Sequence, residues 1–153
     1  MKTTNYRNQV LGCAILLLAT QGATAESIEY TGRVYADRAA NLLPLGNGDG
    51  AMTVQASGVV AMSGNPPSLF ALGCAGLGLV DKEGDATMDV YCSLTEDGEN
   101  AFDLKGKVHK GEGTFDVIGG SGRFAGATGK ATYKRLGDAS SGTGVLEVKL
   151  KTK

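Results

Sequence analysis

Apolar and polar residues alternate along most of the chain beyond residue 27. In one such segment Met88, Val90, Cys92 and Leu94 share one parity, and the residues between them are mostly polar. The same period of two recurs over residues 28–34, 52–62, 102–109, 114–117, 130–134 and 146–151. A period of two with one polar side predicts antiparallel strands that pack on one face.

Turn signals separate these segments, and they set the number of strands. Clusters of glycine, asparagine, aspartate and proline fall near residues 46–50, 64–67, 82–85, 97–98, 111–113 and 140–142. Residues 70–80 are apolar with interspersed glycines, which predicts a strongly bent strand or two short ones. For residues 36–43 the pattern predicts either a short helix or a loop. About eight short strands of this kind form an all-β sandwich or barrel, and the glycines along them favour a barrel.

The first 25 residues have the three-part layout of a secretory signal peptide. Basic residues precede a short apolar stretch over residues 10–19, and Ala23, Thr24 and Ala25 follow as small residues. We expect cleavage between Ala25 and Glu26, and a single barrel domain over residues 26–153. The exported chain would be periplasmic or secreted. The apolar stretch is too short for a permanent transmembrane helix, and we expect no membrane segment after the signal is removed.

Cysteine and charge add two expectations. Cys74 and Cys92 form an even pair in an exported chain, for which a disulfide is the default expectation. Residues 26–100 hold three basic and eleven acidic side chains, whereas residues 101–153 hold ten and five. Either acidic and basic strands are neighbours in one sheet, or the basic strands form a patch for an acidic partner or an anionic lipid surface. The overall balance of −1 does not indicate a nucleic-acid partner.

A glycine-rich run is the most distinctive motif of the chain. Its structural positions are Gly119, Gly120, Gly122, Phe124, Gly126 and Gly129. The spacing fits neither a dinucleotide fingerprint nor a phosphate-binding loop, so we interpret it as a turn with positive φ angles, anchored by Phe124.

The segment from Asp116 to Tyr133 that contains this run resembles the glycine motif of allene oxide cyclase-like and dirigent-like β-barrels. The resemblance also extends to small exported bacterial proteins. It implies an eight-stranded antiparallel β-barrel of the allene oxide cyclase-like type, with a central cavity and with homo-oligomers as an option. Catalytic residues of those families lie outside the motif, so the resemblance assigns none to this chain.

Candidate chemistry is sparse. His109, the single histidine, lies on the polar parity of its strand, and we expect it to be exposed. The acidic turns lack the ligand spacing of a calcium loop, so we predict ordinary turns, without metal or cofactor. Tyr91 and Asp89 are cavity candidates if their face points into the barrel; otherwise they lie on the outer surface.

These observations favour a non-catalytic protein that binds a small hydrophobic ligand in the barrel. One alternative is a cofactor-free isomerase or cyclase in the same cavity, which needs a carboxylate such as Asp89, Asp103 or Glu147 among apolar walls. Another is an envelope interaction protein that uses its basic C-terminal strands.

Overall fold

The computed structural model describes residues 26–64, 66–138 and 141–152. The predicted signal peptide and its cleavage site at Ala25 lie outside these residues. In chain order the strands are β1 Glu26–Pro44, β2 Gly50–Met62, β3 Ser68–Val80, β4 Ala86–Thr95, β5 Ala101–His109, β6 Glu112–Ser121, β7 Thr128–Arg135 and β8 Thr143–Thr152. A single 3₁₀ turn, Gly122–Phe124, stands between β6 and β7.

Each strand pairs in antiparallel fashion with the next one along the chain, and β1 also pairs with β8. The sheet is therefore a closed barrel, in the strand order β1 to β8. Closure gives every strand two hydrogen-bonded neighbours and removes the exposed edges of an open sheet. The eight-stranded antiparallel barrel expected from the alternation, and implied by the resemblance, is confirmed.

The alternation decides which side chains enter the barrel. In β8, Leu146, Val148 and Leu150 are buried, whereas Glu147 and Lys149 are exposed. The same period operates in β5, where Phe102 and Leu104 are buried. The barrel core is thus built from every second residue of its strands.

One end of the barrel is filled by aromatic rings. Phe70, Phe102 and Phe124 have no exposed surface, and their ring centroids lie 5.3 to 6.1 Å apart. Tyr30 packs against Phe70 with its centroid 5.9 Å away. Tilted and edge-to-face arrangements of this kind contribute about 0.5–1.5 kcal/mol per pair beyond simple burial. We call this end of the barrel the closed end.

One sequence expectation is wrong, and one open alternative is decided in favour of a single strand. Residues 36–43, expected as a short helix or a loop, continue β1, because they pair with β2 from Ala36 opposite Gly58 to Leu43 opposite Ala51. Residues 70–80 belong to one continuous strand, β3, which pairs with β2 and β4 along its length. In both places hydrogen bonds to neighbouring strands outweigh the weaker local preference.

Acidic and basic strands are neighbours in the sheet. On the outer surface Lys134 of β7 lies 3.2 Å from Glu112 of β6, and Lys149 of β8 lies 3.2 Å from Glu29 of β1. Lys130 pairs with Asp116 in the same way. Such exposed pairs stabilise a fold by about 0–1 kcal/mol each. They nevertheless support the interpretation that the uneven charge distribution reflects neighbouring acidic and basic strands within one sheet.

Candidate functional site

A cavity of about 700 Å³ occupies the other half of the barrel, which we call the open end. The turns β3–β4 and β5–β6 and the β7–β8 loop contribute Gly84, Gly111 and Gly142 to its rim. Below the rim its wall is apolar and includes Val34, Val54, Leu72, Met88, Val108 and Leu146. This volume lies within the range of pockets that hold small organic ligands, about 300–1,000 Å³.

Small inward residues leave this space empty. Ala36, Ala40, Ala56 and Gly76 line the cavity, at positions equivalent in orientation to the phenylalanines of the closed end. A barrel of eight strands is just wide enough for its side chains to fill it, so the size of the inward residues decides whether a cavity remains. The sequence thus fills one end of the barrel and leaves the other open.

The predicted disulfide is part of the cavity wall. Cys74 of β3 and Cys92 of β4 are direct partners in the strand register, and their sulfur atoms are bonded at 2.06 Å. Both residues have the inward orientation of Leu72 and Leu94 and line the cavity. The bridge therefore joins two strands on the side that a bound molecule would face.

Charged groups lie at the mouth of the cavity on two sides. On one side, Lys110 Nζ lies 2.6 Å from Asp85 Oδ2. The hydrogen bond and the charge of Asp85 raise the pKa of Lys110, so Lys110 stays ionised at neutral pH. On the other side, the guanidinium of Arg38 donates a hydrogen bond to the carbonyl oxygen of Ser141.

Tyr133 and Arg135, on β7, also line the mouth. The ring of Tyr133 lies over Gly144, where a Cβ atom would come within 2.2 Å of the ring carbon Cε2. Burial raises the pKa of Tyr133, and the positive charges of Arg38 and Arg135 only partly offset the effect, so the phenol stays protonated at neutral pH. The Arg135 side chain packs across Gly111, whose carbonyl accepts a hydrogen bond from the Arg135 backbone N–H at 2.8 Å.

Sequence reasoning did not single out Arg38, Tyr133 or Arg135 as site residues. The position of each arginine in the alternation could have identified it. Arg38 has the same inward parity as Ala36 in β1, and Arg135 has the same inward parity as Tyr133 in β7. A charged residue on the apolar parity of a barrel strand is expensive to bury, so it marks a rim or a polar site.

Tyr91 and Asp89 lie outside the cavity, which corrects their assignment as cavity candidates. Tyr91 is 51% exposed, and the Lys105 ammonium lies 5.3 Å from its ring centroid. Asp89 is exposed and lies 4.0 Å from Lys107. The inward positions of β4 belong to Val90 and Cys92, so the two candidates occupy the outer face.

Other candidate residues also face outward. Asp103 and Glu147 lie on the parity opposite to the buried residues of β5 and β8. His109 is exposed, as expected, and its Nδ1 lies 2.9 Å from Thr87 Oγ1. Within the described ranges no group of three or more His, Cys, Asp or Glu side chains is placed to hold a metal ion.

The glycine-rich run lies at the closed end, away from the cavity. Gly122 and Gly126 have φ angles of 56° and 70°, and Gly119 and Gly129 have φ angles of 154° and 157°. Phe124 is fully buried between Phe70 and Phe102. Arg123 pairs with Glu96 at 2.7 Å, so the run is part of the scaffold that closes the barrel.

Solved structures similar to this chain include two dirigent proteins, a family that the glycine run resembles. The pterocarpan synthase dirigent protein GePTS1 has 13% sequence identity and a TM-score of 0.45, over 97% of each chain. The pterocarpan synthase dirigent protein PsPTS1 has 10% identity and a TM-score of 0.47, over 84% of this chain and 94% of its own. No family model matches the chain. No curated protein matches it either.

No helix in the described residues is long and apolar enough to cross a membrane.

Proposed function

We propose that this protein is a non-catalytic binding protein that holds a small hydrophobic ligand in the open half of its barrel. The observation that carries the proposal is the cavity of about 700 Å³, whose wall is apolar below the rim. Transfer of apolar ligand surface from water into such a wall is favourable by about 25 cal/mol per Å². A ligand would therefore bind by burial and would need few directional contacts.

The scaffold around the cavity suits a preformed site. The aromatic cluster fills the closed end, and the Cys74–Cys92 bridge fixes two strands of the cavity wall. A cavity that exists before the ligand arrives requires little ordering when the ligand binds. We further propose that residues 1–25 direct the chain to the periplasm or the medium, where such a disulfide is stable.

The two alternative functions have less support. An isomerase or cyclase would need a carboxylate among the apolar walls, and Asp89, Asp103 and Glu147 all face away from the cavity. An interaction surface on the basic strands would need unpaired cations, whereas Lys130, Lys134 and Lys149 are paired with acidic neighbours.

The experiment is a binding titration with the neutral fluorescent probe N-phenyl-1-naphthylamine. Val54→Phe adds volume to the cavity wall, and Thr53→Phe adds the same ring on the outer face one residue away. We expect Val54→Phe to weaken probe binding by about tenfold or more, a loss of at least about 1.4 kcal/mol, and Thr53→Phe to leave it unchanged.

Thermal unfolding of both variants checks that each one folds. Ala40→Leu, nearer to the rim, provides a second filling variant if Val54→Phe is unstable. Equal probe binding by folded filling variants and by Thr53→Phe would place the probe elsewhere and would refute the proposal.

A further inference from the structure

We propose that the ligand is an amphiphile whose anionic head group binds Arg135 and Tyr133 at the mouth, while its apolar chain lies in the barrel. This inference rests on the proposed function and names the class of molecule that the same cavity takes. It follows from the cations of the mouth, which differ in whether an acidic partner already lies beside them.

Arg135 is the first of these groups. It is half-buried and lines the cavity, and no carboxylate of the described residues lies within 4.0 Å of its guanidinium. Lys110, which precedes the Gly111 that Arg135 packs against, is already paired with Asp85. A partly desolvated cation without a partner gains more from an incoming anion than a paired cation does.

Tyr133 adds a neutral donor beside this cation. Its ring is held over Gly144, and its hydroxyl has no hydrogen-bond partner in the part of the chain that the structure describes. The phenol is protonated at neutral pH, because burial raises its pKa. A protonated phenol and a guanidinium that face one cavity mouth can both donate to the same oxygen-rich head group.

Arg38 strengthens the positive potential on this side. It lines the cavity together with Tyr133 and Arg135, and its positive charge, like that of Arg135, acts on the Tyr133 hydroxyl. Arg38 donates to the carbonyl of Ser141, which holds its guanidinium at the rim. Planar guanidinium groups suit both carboxylates and phosphates, which are the two head groups that we expect.

The apolar wall supplies the other half of the recognition. Beyond Tyr133 the cavity continues past Leu146, Val34 and Val90 toward the closed end, with no charged side chain among these inward residues. A ligand that was charged along its length would be desolvated there without compensation. A chain with one terminal anionic group matches both parts of the cavity.

The test is displacement of N-phenyl-1-naphthylamine by four molecules with the same twelve-carbon chain, each kept below its critical micelle concentration or its solubility limit at pH 8. They are dodecanoate, dodecyl phosphate, 1-dodecanol and dodecyltrimethylammonium. We expect the two anions to bind about tenfold or more tightly than 1-dodecanol and the cation to bind most weakly. The order of dodecanoate and dodecyl phosphate then distinguishes the two head groups.

Variants connect the preference to the named groups. Arg135→Gln should reduce the affinity of the anions about tenfold and leave that of 1-dodecanol unchanged. Tyr133→Phe removes one hydroxyl with the ring retained, and should reduce anion affinity by a smaller factor. Arg33→Gln, on the exposed face of β1, is the matched control and should change neither. Thermal unfolding identifies any variant that fails to fold. If Arg135→Gln does not fold, Tyr133→Phe still tests the inference.

The outcomes separate this inference from the proposed function. Equal competition by dodecanoate and 1-dodecanol, or anion binding that is unaffected by both Arg135→Gln and Tyr133→Phe, would overturn the inference and leave the hydrophobic binding site intact. Tightest binding of dodecyltrimethylammonium would also overturn it and would favour the Asp85 side. Absence of any probe binding would refute the proposed function itself.

Discussion

The side chain of Asn100 accepts a hydrogen bond at Oδ1 from the backbone N–H of Arg123, with an N···O distance of 2.8 Å. Asn100 is itself held by Asp97, whose Oδ2 accepts from the Asn100 side chain at 2.7 Å. The β4–β5 turn and the glycine-rich run are thereby joined beside the aromatic cluster. The closed end therefore depends on a few short polar contacts as well as on its phenylalanines.

Gly122→Ala should destabilise the fold. Gly122 has φ 56°, and a Cβ atom there would lie 2.2 Å from Asn100 Oδ1 and 2.8 Å from the carbonyl oxygen of Glu99. The left-handed conformation alone costs about 1–2 kcal/mol, and displacement of Asn100 adds to that cost. Chemical denaturation measures the loss. Gly73→Ala, where a Cβ would meet nothing within 4 Å, is the control, and equal stability of the two variants would contradict the account.

Stability should depend on Asp97 in a pH-dependent way. Hydrogen bonds from the backbone and side chain of Asn100 and from the backbone of Glu99 hold the pKa of Asp97 below its ordinary value. The ionised form is thus favoured by folding, and its stabilisation is present above the ordinary value, about pH 4, and is lost as the pH falls through the lower folded value. Wild type should exceed Asp97→Asn in unfolding free energy at pH 7, with the difference shrinking below about pH 4. A difference that stays constant down to pH 2 would argue against this role.

Phe124→Ala should strongly destabilise the barrel. Its ring is fully buried against Phe70 and Phe102, and deletion of such a ring from a core costs about 3–5 kcal/mol. Ile118→Ala, in the preceding strand but 53% exposed, should cost much less. Urea titrations of the two variants provide the comparison, and similar midpoints for both would mean that the cluster does not anchor this end.

The Cys74–Cys92 bridge should contribute stability only in its oxidised form. For a separation of 18 residues, the loss of chain entropy in the unfolded state corresponds to about 3 kcal/mol. The double variant Cys74→Ala/Cys92→Ala should unfold more easily than the wild type in oxidising buffer and close to it in reductant. An undiminished gap in reductant would assign the loss to side-chain packing rather than to the covalent bond.

The sequence predicts the strands well where alternation is strict. The alternation over residues 146–151 corresponds to the inward and outward faces of β8. The predicted turn clusters lie between strands. Residues 36–43 were harder because Ala, Arg and Leu also suit a helix, and only the partners in β2 settle the strand. Local pattern fails where the deciding interaction comes from a distant part of the chain.

The cavity was harder to predict than the fold. Alternation alone does not show which of the two sets of alternating residues faces the interior of the barrel. Either Tyr91 or Cys92 could face inward by this criterion, and the structure of the closed barrel shows that Cys92 does. The mouth residues come from β1 and from β7, nearly a hundred positions apart, and no spacing along the chain brings Arg38 to Arg135. Their proximity results from the pairing of β8 with both β1 and β7.

The pairing of Glu26 with Thr152 has a consequence for synthesis of the chain. Because β8 is the seam between β1 and β7, a ribosome-bound chain that lacks it can form hairpins but cannot complete the cylinder. Until then β1 and β7 expose unpaired backbone groups, which are available to other strands. Translation of β8 thus converts a chain prone to strand exchange into one without a free edge.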